Sequence, residues 1–221
     1  MKADKAFIFD LNGTVIDDMM FHVESWKILL DDYLKKHLTY DEVKAQMYGK
    51  SSELFDRIFG KGYFTDEYIH EMVIKKEEIY QEQYKPHMKL LPGLDRFFKK
   101  AKARNIPMAI GTAAIPFNLD YILDNLNIRE YFDELVTADD VVHSKPDPQT
   151  FTLAADKMGY QYQNCIVFED APKGVEAAQN AGMKTVVILS ELHGEADFKA
   201  YNNIIQYITD YHQLDIDSLL K

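Results

Sequence analysis

The 221 residues carry 36 acidic against 25 basic side chains, a formal charge of -11, and 47% of them are hydrophobic. That composition excludes a disordered or fibrous chain and suits one large domain, or a domain with an insert. The acidic balance excludes non-specific binding to nucleic acid or to an anionic membrane, both of which need a basic surface. A phosphorylated ligand is left with local positive potential only, from lysines, a metal or helix N-termini.

The opening residues Met1-Lys2-Ala3-Asp4-Lys5 lack the apolar run of a signal peptide, and no stretch of the chain is apolar enough to cross a bilayer. The expectation is a soluble cytoplasmic protein, monomeric or weakly dimeric. Residues 6–9 form an unbroken apolar run that predicts a buried strand of a parallel sheet. The run breaks into Asp10-Leu11-Asn12-Gly13-Thr14, which places Asp10 where a strand meets its loop. From residue 17 to about 84 the pattern is helical. One helix is predicted over 19–37 and a second after Gly49-Lys50, capped by Ser51 or Ser52 and stopped by Gly60-Lys61-Gly62. A third runs from Thr65-Asp66 to about residue 84.

Pro92-Gly93 then opens a helix over 94–104, and strands are predicted at 108–112, 134–137, 165–168, 184–189 and 203–208, the last at an edge. Helices through residues 121–126, 151–158 and 173–181 alternate with them. The one cysteine, Cys165, heads an apolar run, so it reads as a core residue, and neither an internal disulfide nor a cysteine-cluster zinc site can form. The fold class is therefore α/β, a doubly wound parallel sheet with a small all-helical cap inserted after the first strand. Residues 1–16 and 88–221 make up the core, and 17–87 the cap.

In such a sheet the C-terminal ends of the strands share one edge, where ligands bind. Asp10, Thr112 in Ile110-Gly111-Thr112-Ala113-Ala114, Lys145 in Ser144-Lys145-Pro146, and Glu169-Asp170 all fall at that edge or in a loop beside it. Carboxylates to hold Mg²⁺, a cation and a hydroxyl for phosphoryl oxygens, and a carboxylate able to attack phosphorus are the parts of phosphoryl transfer.

That ordered set resembles the haloacid dehalogenase superfamily, along essentially the whole chain and with the cap where the small-helical-cap subgroup carries it. The resemblance implies that Asp10 is the nucleophile, forming an aspartyl-phosphate. It implies Mg²⁺ held by the Asp10 carboxylate, the backbone carbonyl of Asn12 and Asp170, with Glu169 nearby or bound through water. Thr112 and Lys145 would hold the transferring phosphoryl group, and Thr14, Gly49, Lys50, Ser51, Ala113 and Ala114 would meet the substrate. Within the superfamily the chain is more similar to the β-phosphoglucomutase group, where a histidine and tryptophan at the entry to the cap correspond to His22 and Trp26. There the histidine serves as base or proton shuttle.

Two departures stand out. Position 12 is Asn where that pattern has a second aspartate acting as general acid and base. An amide keeps the backbone carbonyl but transfers no proton near neutral pH, and lost acid–base help typically lowers rates about 10²–10⁴-fold. The mutases' cap-loop arginine is also absent from Gly49-Lys50-Ser51-Ser52-Glu53, leaving Lys50 as a point charge. The expected function is a Mg²⁺-dependent phosphatase or sugar phosphomutase acting on a small phosphorylated metabolite. Asn12 leaves open an impaired phosphate-ester binding protein, or an enzyme for good leaving groups such as acyl phosphates or pyrophosphate.

Overall fold

The computed structural model describes residues 3–220. Its sheet is wholly parallel, with β1 (Ala6–Phe9), β2 (Met108–Gly111), β3 (Glu134–Val136), β4 (Cys165–Glu169), β5 (Lys184–Ile188) and β6 (Ile204–Ile208) in the order β3-β2-β1-β4-β5-β6. β1 lies at the centre because its four residues are apolar on both faces. Phe7 and Phe9 join Phe97, Phe98 and Phe168 on one side, where Phe9 stacks on Phe168 at 4.4 Å. Ala6 and Ile8 join Phe151, Ala154, Ala177 and Ala178 on the other. The strand order turns back between β1 and β4, whose residues pair from Ala6↔Cys165 to Phe9↔Phe168, so Asp10 and Glu169 are brought side by side past the last pair. That reversal is where ligands bind in open α/β sheets.

Between β1 and β2 lie α1 (Met19–Ile28), α2 (Tyr40–Lys44), α3 (Ser51–Phe59), α4 (Asp66–Tyr84) and α5 (Leu94–Ala103). The first four pack about an apolar cluster separate from those of the sheet, built from Val23, Trp26, Leu30, Phe55, Met72 and Val73 among others. The chain leaves and re-enters the sheet region side by side: Ile16 bridges Leu90 antiparallel, and the Leu91 N–H donates to the Val15 carbonyl at 3.0 Å. After β2 the order is α6 (Pro116–Asn125), α7 (Gln149–Met158) before β4, α8 (Pro172–Asn180) before β5, and α9 (Ile216–Leu219) at the end.

Three local expectations change. The helix expected over 19–37 ends as α-helix at Ile28 and loosens into a π turn over Leu29–Tyr33. Lys35 adopts φ 52° there, and the Lys36 N–H donates to the Leu30 carbonyl at 2.8 Å, a left-handed stop made without glycine. Neither Ser51 nor Ser52 caps α3. Lys50 takes the cap position with extended backbone, and its N–H donates to Glu53 at 3.1 Å. The sequence reading omits α2, although Thr39 and Glu42 form a reciprocal capping box.

Candidate active site

β1 and β4 end side by side, and the loop before α7 brings Lys145 across them. Its ammonium donates to Asp10 Oδ1 at 2.6 Å and to Glu169 Oε1 at 2.8 Å, and it sits 4.5 Å from the centre of the Phe151 ring. Two of its three N–H groups are used, leaving one for an incoming oxygen. Burial alone would drive Lys145 towards the neutral amine, but the carboxylates of Asp10 and Glu169 outweigh it and hold the ammonium. Burial, helped by the charges of Glu169 and Asp18, outweighs the pull of Lys145 and leaves the Asp10 carboxyl raised to about 7.

Asp170 follows, 3% exposed, and its carboxyl lies well above the usual range through burial and the charges of Glu169 and Asp10. Thr14 Oγ1 donates to it across a long 3.4 Å. Gly13 makes the approach possible: its φ is 77°, and a Cβ there would lie 2.1 Å from Asp170 Oδ2. Gly174 does the same for Glu169, whose Oε1 would be 1.6 Å from a Cβ. Glu169 Oε2 in turn accepts the Ala171 N–H at 2.7 Å. Thr112, past β2, is 1% exposed and accepts the Ala114 N–H at 3.1 Å, so its own hydroxyl hydrogen is available to a ligand.

A cavity of about 520 Å³ opens over these groups. Asp10, Asn12, His22, Gly49, Lys50, Ser51, Thr112, Ala113, Ala114, Lys145, Glu169 and Asp170 all line it, so the sheet edge and the helical segment meet across one space. Thr14 does not. It is fully buried behind Asp170 and supports that carboxylate rather than meeting a substrate. Lys50 lines the cavity, but its ammonium donates to the Val141 carbonyl at 2.5 Å, and Glu53 accepts the Ser144 hydroxyl at 2.8 Å. These two contacts tie α3 to the loop that carries Lys145.

The sequence reading missed a buried polar cluster in and behind the cavity wall. His22 stacks on Tyr80 with ring centres 3.9 Å apart, Lys76 Nζ lies 2.5 Å from His22 Nδ1, and Lys76 also donates to Glu77 at 3.0 Å. Asp18 accepts from Tyr80 at 2.5 Å and from Asn12 at 2.6 Å. The signal was present in α4: Met72, Lys76, Tyr80 and Tyr84 share the buried face at four-residue spacing, so the lysine sits within an apolar stripe.

Two carboxylates that repel each other in a buried setting, one with only a long hydrogen bond from Thr14, form a hard oxygen donor set suited to Mg²⁺. Among the described residues no cluster of three histidine, cysteine, aspartate or glutamate side chains forms a metal cage. The metal of the resemblance uses two side-chain carboxylates and a backbone carbonyl, so the residues fit it.

Residues 5–182 match the family model for haloacid dehalogenase-like hydrolases. The chain belongs to that family. It is accordingly an enzyme. It is 34% identical over 180 residues to the fructose-1-phosphate phosphatase YqaB of Escherichia coli, covering 81% of this chain and 93% of that protein. A family IA hydrolase of the same superfamily from Entamoeba histolytica superposes with a TM-score of 0.87 at 27% identity, over 98% of this chain and 97% of that one. The β-phosphoglucomutase of Clostridium difficile gives 0.83 at 25% identity, over 99% and 96%. Among the described residues, no helix is long and apolar enough to cross a membrane.

Proposed function

We propose that this chain is a phosphatase for small sugar or polyol monophosphates, working through an aspartyl-phosphate at Asp10. The observation that carries the reading is Lys145 bridging Asp10 and Glu169 beside Asp170 at the reversal of the sheet. A buried aspartate facing a cavity, held by a lysine with one donor to spare, is a nucleophile with a phosphoryl-oxygen clamp beside it. The relatives named for fructose 1-phosphate and for phosphoglucose support a phosphorylated sugar as the substrate class. Lys50, the cation that the sequence offers for a second phosphate, is committed to Val141, and the relative of 34% identity is a phosphatase; both favour hydrolysis.

Bound Mg²⁺, held by Asp10, the Asn12 carbonyl and Asp170, would offset negative charge on the phosphoryl oxygens. An Asp10 carboxylate oxygen attacks phosphorus, and the bond to the departing sugar oxygen breaks. Lys145 and the Thr112 hydroxyl hold the phosphoryl oxygens throughout. Asn12 has no proton to give the leaving oxygen, so the proton comes from solvent or through His22. Water then attacks the aspartyl-phosphate, releasing phosphate and restoring Asp10. Residues 17–87 act as a cap, hinged near Asp17-Asp18 and over residues 85–92, which closes on the substrate and excludes bulk water.

The test is intact mass after incubation with Mg²⁺ and acetyl phosphate, with free phosphate followed in the same tube. A one-phosphoryl adduct, or phosphate release, that disappears in Asp10→Ala is the expected result. Wild-type protein that binds Mg²⁺ and gives neither would refute the reading.

A further inference from the structure

The loop after β5 contributes to the cavity wall, yet no step of the phosphoryl transfer uses it. β5 lies two strands from β1, in the order β1-β4-β5, so its end stands about 10 Å from Asp10 along the sheet edge. Leu192 and His193, in that loop, both line the cavity. The loop is held by its own hydrogen bonds. Ser190 Oγ accepts the Leu192 N–H at 3.2 Å and the His193 N–H at 3.3 Å, and the Ser190 N–H donates to the His193 carbonyl at 3.2 Å. The His193 ring packs edge-on against the fully buried Phe198, with centres 6.2 Å apart. Its Nδ1 lies 3.9 Å from Asp197 Oδ2, beyond hydrogen-bond reach, and among the described residues Nε2 has no partner.

We propose that His193 is a specificity-determining residue, whose Nε2 hydrogen-bonds a hydroxyl on the far part of a sugar or polyol monophosphate while Leu192 covers the carbon chain beside it. A ring nitrogen of neutral imidazole donates or accepts according to tautomer, and a hydroxyl answers either. Burial holds the His193 imidazole below its ordinary 6.5, with Asp197 and Glu169 opposing, so near neutral pH the ring is largely uncharged. Lys173 also lines the cavity, but its ammonium is paired with Glu176 at 3.0 Å and its side chain is half exposed. This part of the wall therefore suits a neutral hydroxyl better than a second phosphate. A substrate with its phosphate at Asp10 and its chain along the sheet edge reaches His193. One whose chain runs towards His22 and Trp26 does not. The kinetic arm of this inference rests on the phosphatase reading; the binding arm does not.

The experiment compares wild type with His193→Phe, which keeps a ring against Phe198 but no nitrogen, and His193→Gln, which returns a donor and an acceptor. The kinetic readout is the ratio of kcat/KM for fructose 1-phosphate to that for p-nitrophenyl phosphate, whose tail carries no hydroxyl, with Mg²⁺ present. The ratio is expected to fall about 3–10-fold in His193→Phe, the scale of one neutral hydrogen bond, through a higher KM for the sugar phosphate. It is expected to recover in His193→Gln. A merely structural role would lower both substrates together, and an unmoved ratio refutes the proposal. A ratio that falls equally in the two variants assigns the effect to ring shape, and refutes it too. The binding readout needs no turnover. In an Asp10→Asn background with Mg²⁺, the His193 Cε1–H resonance, identified by its loss in His193→Phe, is followed by NMR as fructose 1-phosphate or inorganic phosphate is added. It is expected to move with the sugar phosphate and to stay in place with phosphate alone. No movement with the sugar phosphate, or equal movement with both, overturns the proposal. If wild type turns over neither substrate, the phosphatase reading falls, and the resonance alone decides whether His193 meets the sugar.

Discussion

Gly174→Ala separates local propensity from the geometry of the site. Gly174 lies inside α8, where alanine is normally better by about 0.8–1 kcal/mol. The new Cβ, however, would sit 1.6 Å from Glu169 Oε1 and 2.0 Å from its Cδ. A flexible, exposed carboxylate would swing aside. Glu169 is 2% exposed, with Oε1 bound to Lys145 at 2.8 Å and Oε2 to the Ala171 N–H at 2.7 Å. α8 cannot retreat instead, because Val175, Ala177 and Ala178 are fully buried against the sheet side. Breaking a buried pair of this kind removes about 3–5 kcal/mol, so after the helix gain the net loss is about 2–4 kcal/mol. For a chain of this size that is a fall of about 5–15 °C in Tm. Thermal unfolding followed by circular dichroism, with urea unfolding as a second measure, reads it directly. Phosphoryl transfer should fall with it, because Lys145 loses one of its two anchors. A variant as stable as wild type, or more so, would refute the claim that Glu169 is locked in place.

Lys145→Met leaves Asp10 and Glu169 facing each other without their shared cation. Urea unfolding should show a loss of about 3–5 kcal/mol, and no phosphoryl adduct should form on Asp10. Lys76 gives a pH signature. Burial lowers its pKa below the ordinary 10.5, with Glu77 opposing, so between the lowered value and 10.5 the unfolded chain binds the extra proton. Stability contributed at this site therefore rises with pH across that window and is lost as pH falls through it. The double variant Lys76→Met/Glu77→Gln removes the ammonium without stranding its partner carboxylate. Its stability relative to wild type should grow as pH drops from 10.5 towards neutrality; a difference that does not vary with pH would overturn the assignment.

The parts of the site at strand ends were legible in the sequence for a simple reason. In a parallel sheet the strand ends share an edge, and pairing of Phe9 with Phe168 leaves Asp10 and Glu169 nowhere else to go. Asn12, Lys145 and Asp170 follow from the same topology. What was not legible depends on the approach of the helical segment. Asp18 stands beside Asp17 at the entry to the helical segment, and nothing local announces that a tyrosine 62 positions later donates to it. Lys76 stood in the apolar stripe of α4, which marks burial but not the histidine that waits there. Lys50 read as a free cation for a distal group, and its capture by the Val141 carbonyl is a purely tertiary fact. Thr14 sat within the motif, yet its burial turns it towards Asp170 and away from the cavity.

The central place of β1 bears on how the chain assembles during synthesis. β1 is made well before its pairing partners, residues 108–110 and 165–168, emerge from the ribosome. The helices over residues 19–84 draw nearly all of their apolar cluster from their own stretch and can collapse while β1 still waits. An exposed strand of Ala6-Phe7-Ile8-Phe9 is a template for misplaced pairing during that interval. The stretch most at risk in the nascent chain is therefore the one that finally aims the nucleophile, and chaperone demand should track the time needed to reach residue 168.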